Sequence, residues 1–315
     1  WKRIHPTNVE EMPASDPIIF SSGEDSVMGD SSEIGRSFIH SISKVCKSIT
    51  IDNEHLDLDL RCSGHISAGE LILNSNGNSS LIIRVSGDAG WAGIRITGEV
   101  KGTLSVALIN DLAEDSHLLR CEDWSVGRDS SLEISTLSVG GFLNKSDIRI
   151  DLALNGAEVR GGIASNGHNS RHDDHHIEIQ HSVGHTNSSL VMHASCGDSS
   201  HSVGTGLLTI CEGADGSDAG QVFRNLLLSE KARAEAIPEL EVLADDVKAA
   251  HGAASAPVDP NQIHYLASRG LNFDEASSLI IEGFLMDAFS QVKNKEVIEA
   301  LRTRLLVHLE CLIKR

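Results

Sequence analysis

Aromatic residues make up only 3% of this 315-residue chain. A core built round large rings is therefore excluded, and Val, Ile, Leu and Ala must fill it as stacked aliphatic ladders. No apolar run approaches the ~20 residues needed to span a bilayer as a helix. The opening WKRIHPTNVEEMP carries charges but no apolar core, so it is no secretory signal, and without an initiator Met the chain reads as a fragment. No C-x-x-C pair occurs among Cys46, Cys62, Cys121, Cys196, Cys211 and Cys311. Scattered cysteines in a chain of this length predict reduced thiols and a cytoplasmic setting, with buried Cys196 and Cys211 acting as small hydrophobes. There is no G-x-x-x-x-G-K-[ST] loop, so the chain itself should not bind ATP, and no G-x-S-x-G elbow. Positive charge is also short. Lys and Arg number 26 against 45 Asp and Glu, a net charge of -19, which disfavours nucleic acid and anionic membrane as partners.

What is present is alternation. From about Ser37 to Cys211, segments such as SITID, HLDLDL, SLIIRV, TLSVALI, DIRIDLAL and HIEIQH repeat with period two, the signature of half-buried strands. Turn formers separate them, among them Asn76-Gly77, Gly87-Asp88 and Asn155-Gly156. No helical period interrupts this stretch. Sandwich, barrel and β-solenoid all fit such a pattern. Even strand lengths and small aliphatic side chains favour the solenoid, with the sandwich second, although no crisp repeat is visible. After Val258 the period becomes helical. Asp259 is placed to cap a first helix with Pro260 at its first position, Asp274 opens a second, and a third carries Val297, Leu301, Leu305, Leu306 and Leu309 on one stripe. The expected division is an irregular flanking segment 1–35, a β core 36–257 and a small helical domain 258–315.

Two blocks carry a family resemblance. The first runs NLLLSEKARAEAIPELEVLADDVKAAHGA from Asn225 to Ala253 and continues into YLASRGL; the second is DHHIEIQHSVGHTNSSLVMHA. Both resemble the SufB/SufD family of iron–sulfur cluster assembly scaffolds, and within it the SufD type. The SufB type carries a cysteine where Phe223 stands and a His-Glu pair where His251-Gly252 stands, and the SufD type often has a cysteine where Ala249 stands. The long N-terminal helical region usual in the SufD type is largely missing. The resemblance implies a mainly β fold, a right-handed parallel β-helix with a small C-terminal α-helical domain. It also implies a non-catalytic scaffold that pairs with a SufB-like paralogue and docks a SufC-like ABC ATPase through its C-terminal helices. Self-pairing is expected when the paralogue is missing.

His251 is the leading candidate ligand for iron or a nascent iron–sulfur cluster, because a neutral imidazole suits iron and Gly252 and Ala253 leave access to it. A histidine that merely hydrogen-bonds a turn is the alternative. His176 and Glu178 share one strand face and could chelate weakly, with His181 and His185 in the family's two histidine positions. Solvated surface histidines would leave the same pattern. Leu285, Met286 and Phe289 on the second helix are the candidate partner surface. Two other classes stay open: a β-helix enzyme acting on acidic polysaccharides and a histidine-rich metal-binding solenoid.

Overall fold

The computed structural model describes residues 15–27 and 34–314. Residues 1–14 and 28–33, part of the segment expected to be irregular, lie outside the described residues. Sixteen strands, from Cys46–Asp52 to Lys248–Pro257, alternate between two sheets and wind eight coils. Each pairs in parallel with the next strand but one in sequence. His117–Val126, for instance, lies between Trp91–Val100 and Leu143–Leu152. The molecule is a parallel β-helix and mainly β, as the alternation and the resemblance predict. The first sheet ends with Arg233–Val242 and the second with Lys248–Pro257.

The alternation explains the core. Inward positions stack Leu58, Ile83, Leu108, Ile148, Ile177 and their neighbours into one continuous apolar filling. Two large rings, Trp124 and Phe223, are buried in this filling, the latter near the last coil. Turns follow the signals in the sequence: Gly77, Gly87 and Gly156 all adopt positive φ, which glycine reaches without a steric penalty.

The two ends differ. At the N-terminal end, Ile19–Phe20 and Glu24–Asp25 lie antiparallel on His55–Cys62 and Cys46–Asp52 and cover both sheet edges. At the other end no strand of the described residues follows Arg233–Val242 or Lys248–Pro257, and the latter is exposed along almost its whole length.

A helix, α1 (Ile34–Ile42), interrupts the region read as free of helical period. It was illegible because it is only nine residues long and one of its buried positions is Arg36 rather than an apolar residue. The Arg36 guanidinium sits 3% exposed, with Nε 2.7 Å from Asp123 Oδ1, Nη2 donating to the Glu122 carbonyl at 2.9 Å and Nη1 3.2 Å from Asp147. Ile39 packs beside it on Leu119 and Cys121.

Three helices follow the β core: α2 (Pro260–Ser268), α3 (Phe273–Asp287) and α4 (Lys295–Ile313). Asp259 caps α2 by accepting the Asn261 N–H, with Pro260 at the first position as expected. The helix α3 starts one residue earlier than Asp274. Asn272 and Glu275 form a reciprocal capping box there, and this outcompetes Asp274 as a cap. Helices α3 and α4 pack on the outer face of the second sheet through Leu285, Phe289, Val297, Leu301 and Leu305. Leu306, expected on that stripe, is 37% exposed. The helices come so close that a Cβ on Gly162 would lie 2.6 Å from the Ala288 carbonyl oxygen.

Candidate functional site

His251 stands on the last strand of the second sheet, in register with Gln221 one coil inward. Its position has the parity of Ile134 and Leu190, both members of the core. The same alternation turns position 251 toward the axis of the solenoid at its open end. Gln221 is 1% exposed and donates its side-chain N–H to the Glu239 carbonyl at 2.8 Å, tying the two sheets together just beneath. Ala249, Gly252 and Ala253 leave the surroundings of His251 unobstructed, and a Cβ built on Gly252 would meet nothing within 4 Å. The chain thus presents an accessible imidazole at the mouth of the uncapped coil.

The histidine-rich strand His172–His181 divides as its alternation requires. His176 and Glu178 share the outer face. His176 Nε2–H donates to Glu178 Oε1 at 2.9 Å, and Thr205 Oγ1 lies 2.7 Å from Nδ1. That hydrogen bond holds the Glu178 carboxyl below its usual range, and Arg149 at 3.2 Å adds to the effect. His181 is on the inner face, fully buried, with Thr186 Oγ1 2.7 Å from Nδ1 and Ser188 Oγ 2.8 Å from Nε2. Burial pushes it down to about 4. His185 occupies an exposed turn at φ 57°. The structure therefore brings His176 and Glu178 together and separates them from His181 and His185. Among the described residues no group of three or more His, Cys, Asp or Glu is placed to hold a metal ion.

Sequence reasoning missed a polar lining within the solenoid. Arg120 is 1% exposed, donates from Nε to Glu122 at 2.5 Å and from Nη1 to Thr136 at 2.9 Å, and Trp124 donates to the same carboxylate at 2.7 Å. Two coils on, Arg171 donates to Asp173 at 2.8 Å and to Ser138 at 2.8 Å, and Asn144 joins Asp173 at 3.1 Å. Burial works against the Asp173 charge, yet the Arg171 guanidinium holds its carboxyl below the ordinary value. His175 lies in the same interior, 2.7 Å from Ser146 Oγ, and burial pushes it down to about 4. These groups satisfy most of one another's hydrogen-bonding capacity, but Arg171 Nη1 and His175 Nε2 are buried without a hydrogen-bond partner among the described residues. The signal in the sequence was charge at inward parity, as at Arg120 and Glu122.

The candidate partner residues, two on α3 and Phe289 in the turn just after it, divide as well. Leu285 and Phe289 are 0% and 1% exposed and face the second sheet, and Met286 is partly buried beside them. The exposed large apolar residues of the tail among the described residues are instead Tyr265, Phe273, Leu279, Leu306, Val307 and Ile313. An apolar groove of about 860 Å³ runs between α2, α3, α4 and the last coils, lined by Leu228, Val258, Ile263, Phe273 and Leu312.

The six cysteines form no disulfide. Burial pushes Cys62, Cys121 and Cys196 up to about 12, so these thiols stay protonated. Phe223 is an apolar plug with 0% exposure.

These features define a class: a two-sheet parallel solenoid, overlaid by antiparallel strands at its first coil and followed by no further strand of the described residues at its last, with a helical tail on its flank. The SufBD core domain of the SUF iron–sulfur cluster assembly system matches residues 71–284, and the chain belongs to that family. Among its relatives, an iron–sulfur cluster assembly SufBD family protein of Mycobacterium leprae is 28% identical over 249 residues, 74% of this chain and 61% of its own length. The SufD of Bacillus subtilis is 40% identical over 125 residues, and that of Escherichia coli 32% over 117; each match covers 28% of the relative. The matches to these relatives thus span less than two thirds of their length. No helix of the described residues is long and apolar enough to cross a membrane.

Proposed function

We propose that this chain is a non-catalytic scaffold subunit in cytoplasmic iron–sulfur cluster assembly. It pairs through its open coil with a SufB-like paralogue and docks a SufC-like ABC ATPase through its helical tail. Family membership supports the process. The observation that carries the site is His251, an accessible imidazole on an uncapped strand, turned toward the axis where a second chain would meet it. Ala249 and Phe223 supply no thiolate here, so soft ligands for an iron or nascent-cluster cargo come from the paralogue, and His251 adds one nitrogen. Exposed Tyr265, Phe273 and Leu279 beside the apolar groove give the ATPase a surface. The charge balance agrees with protein partners rather than nucleic acid or membrane.

The test is anaerobic iron and sulfide analysis of the complex co-expressed with a SufB-like paralogue and a SufC-like ATPase. His251→Ala is expected to lower cluster yield while leaving the complex assembled. An unchanged yield removes His251 from the site, and failure of the chain to co-purify with either protein removes the scaffold reading.

A further inference from the structure

The helical tail is held to the solenoid unevenly. Helix α4 is pinned along its length. Glu133 accepts the Lys293 and Asn294 N–H groups at its start, Arg304 pairs with Asp111 at its middle, and His308 Nε2–H donates to Asn166 Oδ1 at 3.0 Å nearer its end. It also buries Val297, Leu301, Leu305 and Leu309. Helix α2 buries no residue, and the apolar groove described above lies between its Ile263 and Leu227 and Leu228 of the last coils. Helix α3 is intermediate, with Ala276, Ile281 and Leu285 buried. Segments with few buried contacts are the first to open locally.

His193, on the outer face of Asn187–Cys196, sits where α3 ends. It is 1% exposed. Its Nδ1 lies 2.7 Å from the Phe284 carbonyl oxygen, and its ring stacks on that of Phe284 with centroids 4.6 Å apart and 11° between the planes. That carbonyl belongs to the last turn of α3. The Ala288 N–H, which a further helical residue would aim at it, goes instead to the Leu285 carbonyl at 3.2 Å. The final carbonyls of a helix need outside donors of this kind. A carbonyl only accepts, so Nδ1 carries the proton and Nε2 is the bare nitrogen. Nε2 is buried without a hydrogen-bond partner among the described residues. Burial holds the imidazole below its ordinary value and so neutral; the Phe284 bond and Asp287 oppose this and Arg224 reinforces it. Arg224 and Asp287 form an exposed pair at 3.5 Å beside it, and exposed pairs contribute little.

Helix α2 packs on α3, so the two travel together. We infer that α2 and α3 form one flap that opens from the second sheet as a unit while α4 stays seated, with the hydrogen bond from His193 Nδ1–H to the Phe284 carbonyl as its latch. The hinge falls in the turn after Asp287, whose far side the Glu133 carboxylate holds. Neither flap nor latch depends on the partners proposed above.

Native-state hydrogen exchange on the full chain, together with nitrogen NMR of His193, tests this. In the wild type the Ile281 and Leu285 amides should exchange about tenfold or more faster than those of Leu301 and Leu305, and Nδ1 of His193 should be the protonated nitrogen. Two near-isosteric variants isolate the donor, since both lack the ring and Nε2. His193→Asn keeps an N–H for the Phe284 carbonyl and His193→Leu does not. The α3 amides should exchange about tenfold faster in the Leu variant than in the Asn variant, the effect of roughly one hydrogen bond, with α4 unchanged in both. Equal exchange of α3 and α4 in the wild type, or α4 rising together with α3 in the Leu variant, overturns the flap. A proton on Nε2, or equal α3 exchange in the two variants, overturns the latch.

Discussion

The Glu133 carboxylate and the Lys293 backbone N–H meet at 3.1 Å, joining residues 160 positions apart. Glu133 is 3% exposed on the outer face of the second sheet. It also accepts from the Asn294 N–H at 3.4 Å and from Ser105 Oγ at 2.7 Å. Asn294 is the N-cap of α4, so this one side chain fixes where the last helix begins.

Replacing that carboxylate should therefore loosen the tail and spare the solenoid. Glu133→Ala leaves two backbone donors without their acceptor, at about 1–3 kcal/mol of local stability. The expected result is faster hydrogen exchange and proteolysis within α4, with exchange in the core strands unchanged. Equal loss of protection in both parts would show that Glu133 supports the whole molecule.

Acid sensitivity should come from within the solenoid. His175 and His181 both titrate near 4 because burial disfavours their charged forms, against an ordinary value of about 6.5 in the unfolded chain. The unfolded state thus binds protons that the native state refuses. Stability is full above about pH 6.5, falls as pH drops toward 4, and levels off for these groups below that. Urea midpoints measured from pH 7 to 4 should trace this fall. The slope should flatten in His181→Asn, whose amide does not titrate.

Arg36 makes a separate prediction about α1. Its guanidinium is buried between Asp123 and Asp147. Arg36→Met keeps the length of the side chain and leaves buried carboxylate uncompensated, a loss of about 3–5 kcal/mol. The variant should show α1 amides exchanging freely and a lower urea midpoint. Adding Asp123→Asn should recover part of the loss, and a double variant no better than the single one would argue that packing of Ile39 holds the helix instead.

Legibility in the sequence followed how each residue meets its surroundings. DIRIDLAL announced its strand because Ile148 and Ile150 face inward while Arg149 faces out. HLLRCEDWSV did not, since Arg120 and Glu122 occupy inward positions and satisfy each other there. The last strand, KAAHGAASAP, has no alternation to read; its place is fixed by the register from Gln221 to His251, a long-range pairing that no local pattern encodes. At Asp259 the cap was visible because capping is local chemistry. The burial of Leu285 and Phe289 was not, because it depends on which sheet face the helices cover. Family resemblance singled out His251. Its position at an uncapped end is a property of the assembled coils.

Each coil advances the solenoid by one strand spacing, about 4.8 Å. The seat of α1 on strands 66–76, 91–100 and 117–126 and the bare strand at 248–257 are therefore separated by a whole number of such steps. Inserting or deleting one coil between them would change the distance by a single increment and leave both ends chemically intact. Coil number works in this molecule as a molecular ruler, one that evolution or a designer could reset without altering what either end grips.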